Sequence, residues 1–223
     1  MHWGKERKIL LQPEKSTVQR GMRIAVISWI ISVLGIVALA ALVGPNLLGG
    51  GQDGQHAQGE ALIGGPFTLV DSTSKTVTDE LFRGRYMLVY FGFSHCPDIC
   101  PTTLLLMMNA LNQIGDLSRQ VVPVFITLDP ERDTPEKVAT YVNNFSPNLV
   151  GLTGSEAQIK AAADAYKVFY KKVPVENSEM GYVVDHSGFV YLMGPDGKYV
   201  THFAHTTAEQ AMIDGLRKHI KEQ

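Results

Sequence analysis

A chain of 223 residues that is 45% hydrophobic and 19% charged has enough apolar side chains for a folded core, which excludes a disordered polyelectrolyte. A formal net charge of -2 argues against a basic face for nucleic acid, and no nucleic-acid partner is expected. The charge is nonetheless uneven: residues 1–23 hold six Lys/Arg against Glu6 and Glu14, net +4, which leaves net -6 for the other 200 residues.

The first predicted element is "IAVISWIISVLGIVALAALV", residues 24–43, twenty residues without a charge and with only Ser28 and Ser32 as polar side chains. A helix of that length is roughly 30 Å long, the thickness of a bilayer's hydrocarbon core. A buried core helix usually keeps a polar stripe. A signal peptide cut after Ala38-Leu39-Ala40 usually has a shorter apolar stretch. The segment is therefore read as an uncleaved, single-pass inner-membrane anchor. Six basic residues precede it, and the next one after it is Lys75. The positive-inside rule then keeps residues 1–23 as a cytoplasmic tail, with the remainder in the periplasm or its intermembrane-space equivalent. That compartment permits disulfides.

Residues 44–65 are rich in Gly and Gln and read as a flexible tether, so the folded domain is expected over residues 66–223. "FTLVD" predicts a short strand, and "TVTDELF" leads through a turn to "YMLVYFGF", a strand covered on both faces. A helix over residues 102–115 is expected next, then the buried strand "VVPVFITLD". Pro135 opens a helix through Phe145, "LVGLT" is a brief strand, and Ser155 starts a helix reaching about Tyr170. "FVYLMG-PDGK-YVTHFA" has the form of a hairpin, and Thr207 opens a last helix through Ile220. Strands alternating with helices define a layered α/β domain.

Both cysteines of the chain fall in "FGFSHCPDICP", spaced Cys96-x-x-x-Cys100 between a strand and a helix. That order is characteristic of thioredoxin-like folds, where unpaired N–H groups and the helix dipole favour a thiolate. Pro97 or Pro101 fits the first helical turn, which needs no donor there. Three uses of the pair compete. A disulfide between such near neighbours closes a very small loop and stabilises little through chain entropy. A dithiol exchanges electrons. Two thiolates also suit Cu(I), and an added imidazole suits Cu(II) or zinc.

Of the seven histidines, His2, His56 and His219 fall in the tail, the tether and the polar last helix. His202 and His205 read as strand residues, and His95 adjoins Cys96 too closely to share its site. His186, in "VVDHSGFVYLMGPDG", is expected on the loop entering the hairpin, where this fold brings a loop over the cysteines. Asp185 beside it is placed to orient the ring.

"FGFSHCPDICPTTL", "TLDPERDTPEKVATYV" and "VDHSGFVYLMGPDGKYV" together resemble the signature blocks of the Sco/SenC family. The resemblance runs from about residue 64 to the end. It implies a membrane-anchored, thioredoxin-like metallochaperone that delivers copper, as Cu(I) or Cu(II), to the binuclear copper site of cytochrome c oxidase subunit II. It makes Cys96, Cys100 and His186 the copper ligands, with Cys96 and Cys100 also a redox disulfide. Asp129 and Asp133 are similar to acidic positions linked to loop structure and partner contact. An upstream copper donor or thiol reductant is a further expected partner. The alternative is a thiol–disulfide oxidoreductase reducing the cysteines of the apo-oxidase subunit. A peroxidase is disfavoured, because Phe93 stands where peroxiredoxins carry a threonine.

Overall fold

The two most apolar runs become the centre of the sheet. In a computed structural model that describes residues 63–175 and 181–221, strands β3 (Tyr86–Gly92) and β4 (Val121–Thr127) lie parallel, and every residue of both is buried. All described residues belong to one compact unit, Gly59–Gln223. The remaining strands are β1 (Thr68–Asp71), β2 (Thr76–Thr78), β5 (Val150–Thr153), β6 (Tyr170–Pro174), β7 (Tyr182–His186), β8 (Phe189–Met193) and β9 (Tyr199–Ala204). Seven of them form one mixed sheet in the order β2-β1-β5-β4-β3-β8-β9, while β6 and β7 pair separately.

Among the described residues four α-helices complete the layers: α1 (Ile99–Gln113), α2 (Pro135–Asn143), α3 (Glu156–Ala165) and α4 (Glu209–His219). Their starts follow from local chemistry. Thr134 accepts the N–H of Lys137 with Pro135 in the first turn, and Ser155 and Gln158 form a reciprocal capping box. Buried Leu104, Met107 and Leu111 of α1 and Met212, Ile213 and Leu216 of α4 contribute to the core around the sheet. The β8–β9 hairpin turns at Gly197, whose φ of 75° suits glycine.

Two expectations need correction. The helix begun at Ser155 stops at Ala165, short of Tyr170, because Lys167 adopts a left-handed φ of 57° and reverses the chain. Residues 170–174 then form β6, paired antiparallel with β7 so that Tyr170 stands opposite His186. His186 is consequently the last residue of a strand and not part of a loop. The anchor expected over residues 24–43 lies outside the described residues. Among those described, no helix is long and apolar enough to cross a membrane.

Candidate metal centre

The site forms where the two central strands end. Gly92 closes β3 opposite Thr127 at the end of β4, and the N–H of Leu128 donates to the Gly92 carbonyl at 2.7 Å. Side chains gather at the carboxyl ends of parallel strands because the loops that leave there converge. The loop after β3 carries Cys96 and feeds α1 with Cys100 in its first turn. Asp98 is the N-cap residue but makes no side-chain capping bond. Instead the N–H of Cys100 donates to Cys96 Sγ at 3.4 Å, so one of the helix's unpaired donors is spent on sulfur. Cys100 itself is fully buried. Its sulfur sits over the bare Cα of Gly92, where an added Cβ would come within 3.0 Å of it. The Tyr90 hydroxyl donates to the same sulfur at 3.6 Å.

His186 reaches Cys100 from the end of β7. Its Nε2 lies 3.6 Å from Cys100 Sγ, and its Nδ1 lies 3.0 Å from the Ser187 carbonyl. A carbonyl only accepts, so Nδ1 carries the proton and Nε2 presents its lone pair towards sulfur. The rings of Tyr90 and Phe93 flank the imidazole edge-on, each with its centroid 6.1 Å away. This pair fits a metal. With bonds of about 2.3 Å to sulfur and about 2.0 Å to nitrogen, an angle near 110° separates the donors by about 3.5 Å. Among the described residues no three His, Cys, Asp or Glu side chains already form a closed cage. What is preformed is the Cys100–His186 pair, with Cys96 beside it.

The two thiols are electrostatically unequal. A hydrogen bond from the Cys100 thiol lowers the Cys96 pKa to about 5 against the effect of its burial, helped by the N–H groups of Asp98 and Cys100. The same bond to Cys96, together with burial, pushes the Cys100 thiol up. Cys96 is thus a half-exposed thiolate, and Cys100 is the buried group that holds the proton.

The acidic block fastens the site. Asp133 accepts the Ser94 N–H at 2.9 Å, the Ser94 hydroxyl, and the Thr127 hydroxyl at 2.6 Å. It therefore ties the cysteine loop to the end of β4. Asp129 accepts from Arg132 and, at 2.7 Å, from the Tyr182 hydroxyl at the start of β7. The Arg132 guanidinium lies 3.8 Å from the centre of the Tyr182 ring and donates to the Tyr182 carbonyl at 3.0 Å. Asp129 and Asp133 have no exposed surface. Both carboxylates are spent on bonds within the chain. Asp185 points outward beside His186, as alternation along a strand requires, so the orienting role belongs to the Ser187 carbonyl.

Tyr90, Ser94, Thr127, Arg132 and Tyr182 are site residues that the sequence reading missed. The one available signal was Tyr90, a hydroxyl in the middle of a fully buried strand. His95 bonds the Ser94 hydroxyl at 3.0 Å, and exposed His202 stacks on Phe189. Neither joins the cysteines. A groove of about 530 Å³ opens over the site, lined by Phe93, Cys96, Ile99, Val173, Asp185 and His186 among others, with His205 at its edge.

A mixed α/β sheet with a dithiol at the mouth of a helix and an imidazole brought onto it defines a thioredoxin-like protein with a soft-metal site. Its relationships agree. The SCO1/SenC family model matches residues 55–221, and the chain belongs to that family. A SCO2-like protein of Rickettsia prowazekii is 41% identical over 180 residues, which cover 81% of this chain and 87% of that one. The copper-bound crystal structure of Arabidopsis thaliana ScoI superposes with a TM-score of 0.67 at 45% identity, covering 71% of this chain and 98% of that one. BsSco, a Sco-family cytochrome c oxidase assembly protein in which a disulfide switch was identified, superposes at 0.56 with 25% identity, over 71% and 94% of the respective chains.

Proposed function

We propose that this protein is a membrane-anchored copper metallochaperone of cytochrome c oxidase assembly. Copper is its cargo, held by Cys96, Cys100 and His186 and passed to the binuclear site of oxidase subunit II. The observation that carries this reading is the Cys100 Sγ–His186 Nε2 separation of 3.6 Å with Nδ1 tied to Ser187. A dithiol used only for electron exchange has no need of an oriented imidazole lone pair. Copper bound in the similar ScoI and the oxidase-assembly role of BsSco support the same reading. Three protein ligands leave a position open to the groove, which suits transfer by ligand exchange more than storage. Buried Cys100 and half-buried His186 form the fixed part of the site, and half-exposed Cys96 is the ligand an acceptor thiolate reaches first.

The test is copper retention by the full-length chain in detergent. The reduced protein is expected to bind one Cu(I) against a competing chelator, and the Cys96–Cys100 disulfide is expected to bind none tightly. Equal affinity in both forms overturns the dithiolate site. The uncharged run at residues 24–43 supports an anchor with the domain outside the cytoplasm. A reporter active only in the cytoplasm, fused after residue 60, is expected to be silent; an active fusion reverses the topology.

One observation favours a second reading, thiol–disulfide exchange with the apo-oxidase subunit. Cys96, held near pKa 5 at the groove, is a competent attacking thiolate, and Cys100 is its resolving partner. His186 separates the two readings, since exchange does not require it.

A further inference from the structure

Tyr90 has no exposed surface, so its hydroxyl must find a partner inside the protein. That partner is Cys100 Sγ at 3.6 Å. Thr103, whose side chain also faces the phenol oxygen, gives its own proton to the Ile99 carbonyl at 2.7 Å. The Tyr90 hydroxyl donates to that sulfur, and the Thr103 oxygen, its own proton spent, stands beside it as a second acceptor. Gly92 shapes the same contact, because a Cβ there would lie 3.0 Å from both Cys100 Sγ and the Tyr90 ring. Strand alternation puts Tyr90 and Gly92 on one face of β3. One residue supplies the floor for the sulfur and the other supplies its donor.

We propose that the Tyr90 hydroxyl sets the redox balance of the cysteine pair, favouring the reduced dithiol that takes up copper over the Cys96–Cys100 disulfide. The inference rests on the reading of these cysteines as a redox-active copper site. A thiol or thiolate sulfur accepts the hydroxyl proton. A disulfide sulfur carries no negative charge and accepts poorly. Oxidation thus weakens the hydrogen bond of a buried hydroxyl and leaves it the Thr103 oxygen as acceptor, and that cost falls on the disulfide alone. Reduction runs the other way. Two glutathione thiols supply two electrons and two protons, the Cys96–Cys100 bond breaks, glutathione disulfide forms, and Tyr90 regains its sulfur acceptor.

The experiment is a glutathione redox titration of the metal-free, full-length chain in detergent. Tyr90→Phe removes only the hydroxyl, and its equilibrium is expected to move about threefold to tenfold towards the disulfide. For a two-electron couple this lowers the potential by about 15 to 30 mV. Tyr166→Phe, an equally buried tyrosine stacked on Phe91 and Tyr191, is expected to leave the equilibrium in place. No shift in Tyr90→Phe, a shift towards the dithiol, or equal shifts in both variants overturns the proposal. If Tyr90→Phe does not fold, 3,5-difluorotyrosine at position 90 keeps the ring and strengthens the donor. It is then expected to move the balance towards the dithiol, and an unchanged or opposite balance overturns the proposal. Copper uptake by the reduced wild-type protein is measured separately, so failure here leaves the copper reading standing.

Discussion

Asp133 accepts the backbone N–H of Ser94 at 2.9 Å across 39 residues of sequence, and the Ser94 hydroxyl donates to the same carboxylate. Two loops that leave neighbouring parallel strands are thereby locked together two residues before Cys96. Asp129 does the equivalent for the third element, holding Tyr182 at the start of the strand that ends in His186. Side chains brought together from a loop, a helix and a strand need such fastening, because the group is only as well ordered as the backbones that present it.

Asp133→Ala leaves the Ser94 N–H and the hydroxyls of Ser94 and Thr127 without their shared acceptor in a buried position. Orphaned buried donors cost about 1–3 kcal/mol each, partly recovered by water, so a loss of about 2–4 kcal/mol is expected. Urea denaturation of the reduced, metal-free protein measures it. A loss below about 1 kcal/mol would mean that the network does not hold the loop.

The inequality of the thiols predicts selective chemistry. Alkylation of the reduced protein by iodoacetamide is expected at Cys96 alone, with a rate that rises as pH passes about 5. An unperturbed thiol would give a midpoint near pH 8.5. Cys100, buried and pushed up, reacts only after unfolding. The sign of the linked stability follows. The folded pKa of Cys96 lies below its unfolded value, so this thiolate contributes stability that is full above about pH 8.5 and declines as pH falls. It is gone once pH drops below about 5. The raised Cys100 thiol acts in the opposite sense and only above about pH 8.5. The disulfide form lacks this dependence. Peptide mapping of the alkylated residue against pH decides, and a midpoint above about 7 counts against the hydrogen-bonded thiolate.

The parts of this architecture that were readable in the sequence are those with a local cause. Uninterrupted apolar runs gave β3 and β4, Pro135 and Ser155 gave helix starts, and a strand–cysteine–helix order gave the thiol site. The unread parts depend on contacts far apart in the chain. Strand β6, "YKKVP", is mostly exposed and is defined by its pairing with β7, so no apolar alternation marks it. The end of α3 at Lys167 lacks the glycine that usually marks a left-handed stop. The sequence also pointed to Asp185 as the group orienting His186, although residues adjacent in a strand face opposite ways. The actual acceptor is a main-chain carbonyl, which every residue carries and no motif reveals.

His186→Ala separates the two functional readings. It removes the imidazole while leaving the Cys96–Cys100 pair, the Tyr90 contact and the Asp133 network intact. His186 is partly exposed and borders the groove, so its truncation opens space to solvent and the fold is expected to survive. Two thiolates alone still hold Cu(I) in a near-linear arrangement, whereas Cu(II) prefers a tetragonal set with nitrogen or oxygen donors. Cu(II) binding, followed through thiolate-to-copper absorbance, is therefore expected to fall at least about tenfold, the effect of losing a metal-orienting group. Cu(I) binding should fall less, and the disulfide should remain reducible by glutathione. Oxidase activity in cells carrying only the variant is expected to drop with copper loading. Wild-type Cu(II) absorbance in the variant would remove His186 from the ligand set. Lost Cu(II) binding with full oxidase activity would keep the copper site and assign the cellular role to dithiol exchange.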